Sequence, residues 1–182
     1  MTTRFNRLFL ILLAHFLQGG AVGAQTAPGP VYVPPVVEIP GPVDRPFDGE
    51  IELHVDATDI QHRIFTIRQR IPVAKTGVVT LLYPRWEPAS HGPSLTVTDL
   101  AGLLVEAGGR SIAWQRDRYE PHAFRLEVPP GTKVVDVRFQ MVAGGDALTP
   151  DVVAVPWQRL ILYPAGWYAR DIPVAATLTL PD

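Results

Sequence analysis

The sequence predicts an all-β fold, mainly antiparallel, built as a β-sandwich or curved open sheet of about nine short strands. Three observations carry that prediction. Apolar and polar residues alternate with period two in stretch after stretch, and turn residues separate the stretches at close spacing. Beyond the amino terminus, no segment sustains a helical apolar period for about twelve residues.

The elements follow in chain order. EIELHVD places Ile51, Leu53 and Val55 on one side and Glu50, Glu52, His54 and Asp56 on the other. RIFTIRQRI sets Phe65, Ile67 and Ile71 against Ile64, Thr66, Arg68 and Arg70. GVVTLLY, from Gly77, is more uniformly apolar. The stretch from Thr98 to Leu104 has room for a helical turn or two. LLVEAGGRSIAW reads as a hairpin, with Gly108 and Gly109 at the turn and Leu104 and Ile112 in the arms. AFRLEV sets Phe124, Leu126 and Val128 against Arg125 and Glu127. VVDVRFQMV sets Val135, Val137, Phe139 and Met141 against Asp136, Arg138 and Gln140. WQRLILY, from Trp157, is again evenly apolar, and PVAATLTLP alternates Leu178 and Leu180 with Thr177 and Thr179. Strands with one dry and one wet face belong to antiparallel sheets.

Two segments stand apart from this pattern. Residues 1–24 have the three parts of a secretory signal: basic Arg4 and Arg7, the run Leu8 to Leu17 interrupted only by His15, and small Val22, Gly23 and Ala24. The run is well short of the roughly 20 residues that span a bilayer. Cleavage after Ala24, export to the periplasm or medium, and no membrane attachment thereafter are expected. Residues 25–48 form a proline-rich linker or extended arm, with seven prolines between Thr26 and Phe47. Proline removes a backbone donor and fixes φ, so neither helix nor central strand runs through it. Residues 49–182 then make one domain of ordinary size.

Composition excludes several functions. With 16 basic and 18 acidic residues the charge is −2, and loss of Arg4 and Arg7 leaves 14 against 18, or −4. No broad basic surface speaks for nucleic acid. The chain has no cysteine, which removes disulfides, thiolate metal sites, a cysteine nucleophile and a lipid-anchoring cysteine together.

A search for chemistry assigns no catalytic, cofactor-binding or metal-binding residue. His54, His62, His91 and His122 lack the spacing of HExxH and fall on strands or turns, His54 on a polar face. Ser90, Ser94 and Ser111 lie outside any GxSxG, and no phosphate loop or GxGxxG is present. Asp146 and Asp151 lack the dense alternation of calcium loops and read as turn residues. Asp56 and Asp59 sit at a strand end without a pocket around them. Trp86, Trp114, Trp157 and Trp167, with Tyr83, Tyr163 and Tyr168, fall at strand ends or turns. Such residues serve a core, an interface or a sugar platform, each ring burying roughly 150–250 Å².

Three segments in order, LLYPRWEPASHGP, LAGLLVEAGGRSIAWQRD and WQRLILYPAGWYARDIPVAATLTLP, resemble the amino-terminal domain of the glycyl aminopeptidase family of metallopeptidases, peptidase family sixty-one. The matching residues are Pro84, Trp86 and Pro88, then Trp114, then Tyr163, Pro164 and Gly166. One departure is Ala89, where the family usually has glycine soon after the second proline. The resemblance implies a non-catalytic β-domain that packs beside a catalytic domain and helps wall its substrate cleft. In the family the zinc belongs to the catalytic domain, which is helical and carries HExxH, so the resemblance implies no cofactor for this chain. The partner implied is a peptidase catalytic domain. A stand-alone module binding peptide or glycan through exposed aromatics is the alternative.

Overall fold

The computed structural model describes residues 39–87, 89–145 and 147–181. The signal segment, most of the proline-rich arm, Pro88 and Asp146 lie outside the described residues. Ten strands are present: β1 (Ile51–Asp59), β2 (Ile64–Pro72), β3 (Gly77–Leu82), β4 (Leu100–Ala107), β5 (Arg110–Ser111), β6 (Trp114–Arg116), β7 (Ala123–Val128), β8 (Val134–Val142), β9 (Tyr163–Pro164) and β10 (Val174–Thr179). Among the described residues, helix is confined to two 3₁₀ turns, Trp157–Arg159 and Ala169–Asp171.

The strands form two sheets. The larger runs β10-β1-β2-β8-β4-β5 and the smaller β6-β7-β3-β9. All pairs are antiparallel except β1 with β10, which run parallel with Ile51 opposite Val174 and Val55 opposite Leu178. The alternation read from sequence is the burial pattern. Ile51, Leu53, Val55, Phe65, Ile67, Ile71, Val135, Val137, Phe139 and Met141 turn inward from the large sheet. Val79, Leu81, Phe124, Leu126 and Val128 turn inward from the small one, and the two sets join in one core. Each large side chain so buried is worth about 1.5–3 kcal/mol over an exposed one. The architecture is therefore a two-sheet sandwich, open at its edges.

Local sequence explains the joints. Ala107 pairs with Arg110 across a two-residue loop in which Gly108 and Gly109 have φ of 57° and 74°. Positive φ at both central positions makes the turn twist with its strands, and glycine takes it without strain. Beyond the turn, Ile112 is buried, whereas Leu104 faces out beside Arg138. A register shift between Ala101 and Leu104 sets that facing, and the strand begins at Leu100 where a helical turn had room.

Two expectations change in detail. WQRLILY is not a strand: Trp157–Arg159 is a 3₁₀ turn, Leu160 and Leu162 are buried, and pairing begins only at Tyr163. The cause is Gln69, on the inward face of β2 and 2% exposed. Its Nε2 donates to the Leu162 carbonyl at 3.1 Å, and its Oε1 accepts the Leu162 N–H at 2.9 Å. A side-chain amide thus supplies both hydrogen bonds that a neighbouring strand would have made. The second change is β10, whose six residues are all exposed.

Candidate functional site

The histidines are engaged in local structure and do not converge. On β1, His54 Nδ1 lies 2.9 Å from Thr177 Oγ1 and Nε2 lies 3.3 Å from Thr179 Oγ1, which ties β10 to the sheet. His62 closes a turn against Asp59 at 2.8 Å. His122 is half-buried, stacked on Tyr83 at 6.0 Å, with ring contacts to Glu120 and to the Leu95 carbonyl. Burial pushes the Tyr83 phenol up to about 12, so it stays protonated at neutral pH. His91 is exposed in a bend. Among the described residues no group of three His, Cys, Asp or Glu side chains is placed to hold a metal ion.

The carboxylates are likewise turn caps. Asp56 accepts the Thr58 N–H at 3.0 Å and its hydroxyl at 2.7 Å, and these bonds hold its carboxyl below the usual range. Asp59 is held low by the His62 side chain and backbone. Both stay ionised at neutral pH, unlike the raised carboxyl that a general acid needs. Asp117 is buried, accepts the Tyr119 and Glu120 N–H groups at 2.9 and 3.0 Å, and pairs with Arg125 at 2.6 Å. Those backbone bonds, then Arg125, lower its pKa. Ser90 lies 2.7 Å from the Glu87 carbonyl and closes its loop, while Ser94, Ser111 and Asp151 are exposed.

The aromatics divide into two classes. Trp114 donates from Nε1 to the Leu103 carbonyl at 3.1 Å and packs edge-on against Phe124, which ties the sheets together. Trp167 packs edge-on against Phe47 at 5.3 Å with the Arg45 guanidinium over its ring. These two are structural. Trp86, 58% exposed, and Trp157, 40% exposed, are not covered.

Trp86 is exposed on a fixed support. Arg85 on one side pairs with Glu120 at 2.9 Å, and Glu87 on the other pairs with Arg159 at 2.7 Å. The ring therefore stands between two anchored neighbours, and it contributes to a groove of about 490 Å³. Pro84, Gln158, Ile161 and Tyr163 continue the lining from the loop after β3, the run before β9 and the first residue of β9. Ala169, Ile172 and Val174 complete it from the second 3₁₀ turn and the start of β10. An exposed groove of this kind, mostly apolar with a few polar groups, suits a ligand or another protein surface. Sequence reasoning named Trp86 and Tyr163 but missed Ile161, Ile172 and Val174, whose apolar character signals core equally well.

The tail YPAGWYARDIP, with its Arg170 and Asp171, is a fastening for the arm. The Val43 N–H donates to the Gly166 carbonyl at 3.3 Å and the Phe47 N–H to the Asp171 carbonyl at 3.3 Å. Arg170 stacks on Tyr168 and reaches Asp44 at 3.3 Å. Gly166 has φ of 101°, and a Cβ there would meet Pro40 at 3.6 Å, so backbone angle rather than space reserves the position for glycine. Ala89, where the family usually has glycine nearby, has φ of 65°. The position takes the left-handed conformation and carries the strain of a Cβ in it.

Comparison with known proteins was made on sequence and on fold. A solved structure described as an aminopeptidase N family protein from Idiomarina loihiensis superposes with a TM-score of 0.57 at 18% identity. The match covers 72% of this chain and 22% of that one, so this chain corresponds to less than a quarter of its length. The similarity is one of fold. No curated protein matches by sequence. The family model for the Peptidase M61 N-terminal domain matches residues 52–182, and the chain belongs to that family.

Proposed function

We propose that this chain is the non-catalytic amino-terminal domain of a glycyl aminopeptidase-type metallopeptidase, supporting a catalytic domain and part of the wall of its substrate cleft. The observation that carries this reading is the family match over residues 52–182, joined to the exposed groove beside Trp86. The docking surface is the part of the groove formed by Pro84, Trp86, Gln158 and Ile161. There an anchored tryptophan offers the large, rigid, half-apolar contact that interfaces favour. Zinc does not fit the described residues: His54, His62 and His122 are each bonded to separate local partners, and no third donor joins any of them. Peptide-bond chemistry is assigned to a catalytic domain outside this chain.

The test is an assay of the purified chain with glycyl p-nitroanilide, with and without added zinc. No release is expected, and chelator-sensitive release by this chain alone would overturn the reading. A second reading rests on the same Trp86: a stand-alone module that holds a peptide or glycan in the groove. Tryptophan fluorescence titrated with peptides and oligosaccharides would show saturable quenching, lost in Trp86→Phe, if that reading were right. Export is part of the proposal, and sequencing the amino terminus of the exported protein should read Gln25 first.

A further inference from the structure

The sandwich has four sheet edges, and three of them are blunted. At the opposite edge of the large sheet, β5 is two residues long and begins with Arg110, and beyond it the Val105 and Leu103 carbonyls of β4 accept from the Ile112 N–H and Trp114 Nε1. The β6 edge is three residues and ends in Arg116. The β9 edge is two residues, one of them Pro164, and the arm lies beside it through the Val43–Trp167 bridge. Short strands, charge, proline and cover are the devices by which natural proteins keep unpaired backbone from recruiting other chains.

The β10 edge has none of them. It is six residues long, VAATLT, with no charge, glycine or proline, and it has no strand partner on its outer side among the described residues. Its even-numbered residues continue the inward face of β1, because Val174 stands opposite Ile51 and Leu178 opposite Val55. Ile51 and Val55 are fully buried, yet Val174, Leu178 and Leu180 remain 39%, 36% and 54% exposed. An apolar row and an open backbone edge thus coincide on one strand.

We infer that β10 is the dimer seam of this chain: two copies join antiparallel, edge to edge, about a two-fold axis at Ala176. An isologous contact must be complementary to itself. With the axis at Ala176, Val174 stands opposite Leu178 of the second copy, and Ala175 stands opposite Thr177. Apolar residues meet apolar ones on one face, small and polar residues meet on the other, and no like charges are opposed. The same axis brings Leu180, four residues past Ala176, opposite Ile172, four residues before it. Val174 lines the groove, so the seam borders that apolar hollow. The occupant of the edge is therefore a second copy of this chain. The seam uses the β10 part of the groove, whereas the proposed catalytic-domain contact uses the Trp86 part, and the two readings fail separately.

Sedimentation velocity of the purified full chain over a range of concentrations should show a reversible monomer–dimer equilibrium. Ala176→Lys, which opposes two ammonium groups at the axis, should weaken dimerisation by about tenfold or more while the melting curve of the monomer is kept. Because the chain has no cysteine, a single Ala176→Cys gives an independent reading: under mild oxidation it should cross-link to itself. Ala175→Cys, opposite Thr177, should cross-link much less. A chain that stays monomeric at the highest concentration overturns the inference. So does equal cross-linking at 175 and 176, and this comparison decides the matter if Ala176→Lys proves unfolded. Capture of a peptidase domain at this edge by a monomeric chain would also overturn it.

Discussion

Ile67 and Val174 stand on the same face of the same sheet, two strands apart, and have opposite fates. Ile67, in the centre, is covered by the small sheet and is fully buried. Val174, at the β10 end, is 39% exposed, on the wall of the open groove beside Trp86. The side-chain chemistry is nearly identical. What differs is the reach of the opposing layer, and that difference separates the part of the molecule that holds the fold from the part that meets other molecules.

Substitutions at five positions would break or sharpen the contrast, from the largest expected effect to the smallest. Phe139→Ala, in the covered centre of β8, should cost about 3–5 kcal/mol in urea unfolding, because the cavity cannot collapse between two sheets. Gln69→Ala should cost about 2–3 kcal/mol, since it strands the Leu162 N–H and carbonyl in the core. A Gln69→Leu variant that matches wild type in the same measurement would show that the amide is only a filler.

Asp117→Asn should cost about 1–2 kcal/mol near pH 7 by weakening the Arg125 pair and the two backbone bonds. The sign with pH follows from the lowered pKa. A carboxyl depressed in the folded state contributes its stability above the ordinary value near 3.9, and loses it as pH falls through the folded value. The gap in melting temperature between wild type and Asp117→Asn should therefore narrow below about pH 4, and a constant gap would refute the assignment.

Ala89→Gly should stabilise the chain by about 1 kcal/mol, because glycine takes φ of 65° without the Cβ penalty. A loss of stability there would mean that the Cβ makes a contact worth more than the strain. By contrast, Leu178→Thr should cost only about 0.5–1 kcal/mol at high dilution, since the side chain is already 36% exposed in the single chain.

Much of the fold was legible. Period-two alternation in β1, β2, β7 and β8 named the inward residues one by one, since strand geometry sends successive side chains to opposite faces whatever the fold. Gly108 and Gly109 announced a hairpin because only glycine takes those angles freely. Trp86 was legible as a candidate, but not as an exposed one. A tryptophan at a strand end reads the same in sequence as Trp114 or Trp167, both of which pack into the structure. The ion pairs that hold Trp86 outward join residues 35 and 72 positions apart, beyond any local pattern.

The amino-acid sequence by itself determined the β class, the inward face of each long strand and the turn between β4 and β5. These follow from the two-residue period and from glycine's backbone freedom, which are local properties. Only the tertiary structure decided that Gln69 would replace a strand partner for Leu162, that β10 would lie parallel to β1, and that Leu178 would stay uncovered. Each of these depends on what arrives from more than 90 residues away. Burial is set by the neighbour that covers a face, and alternation marks the face without naming the neighbour.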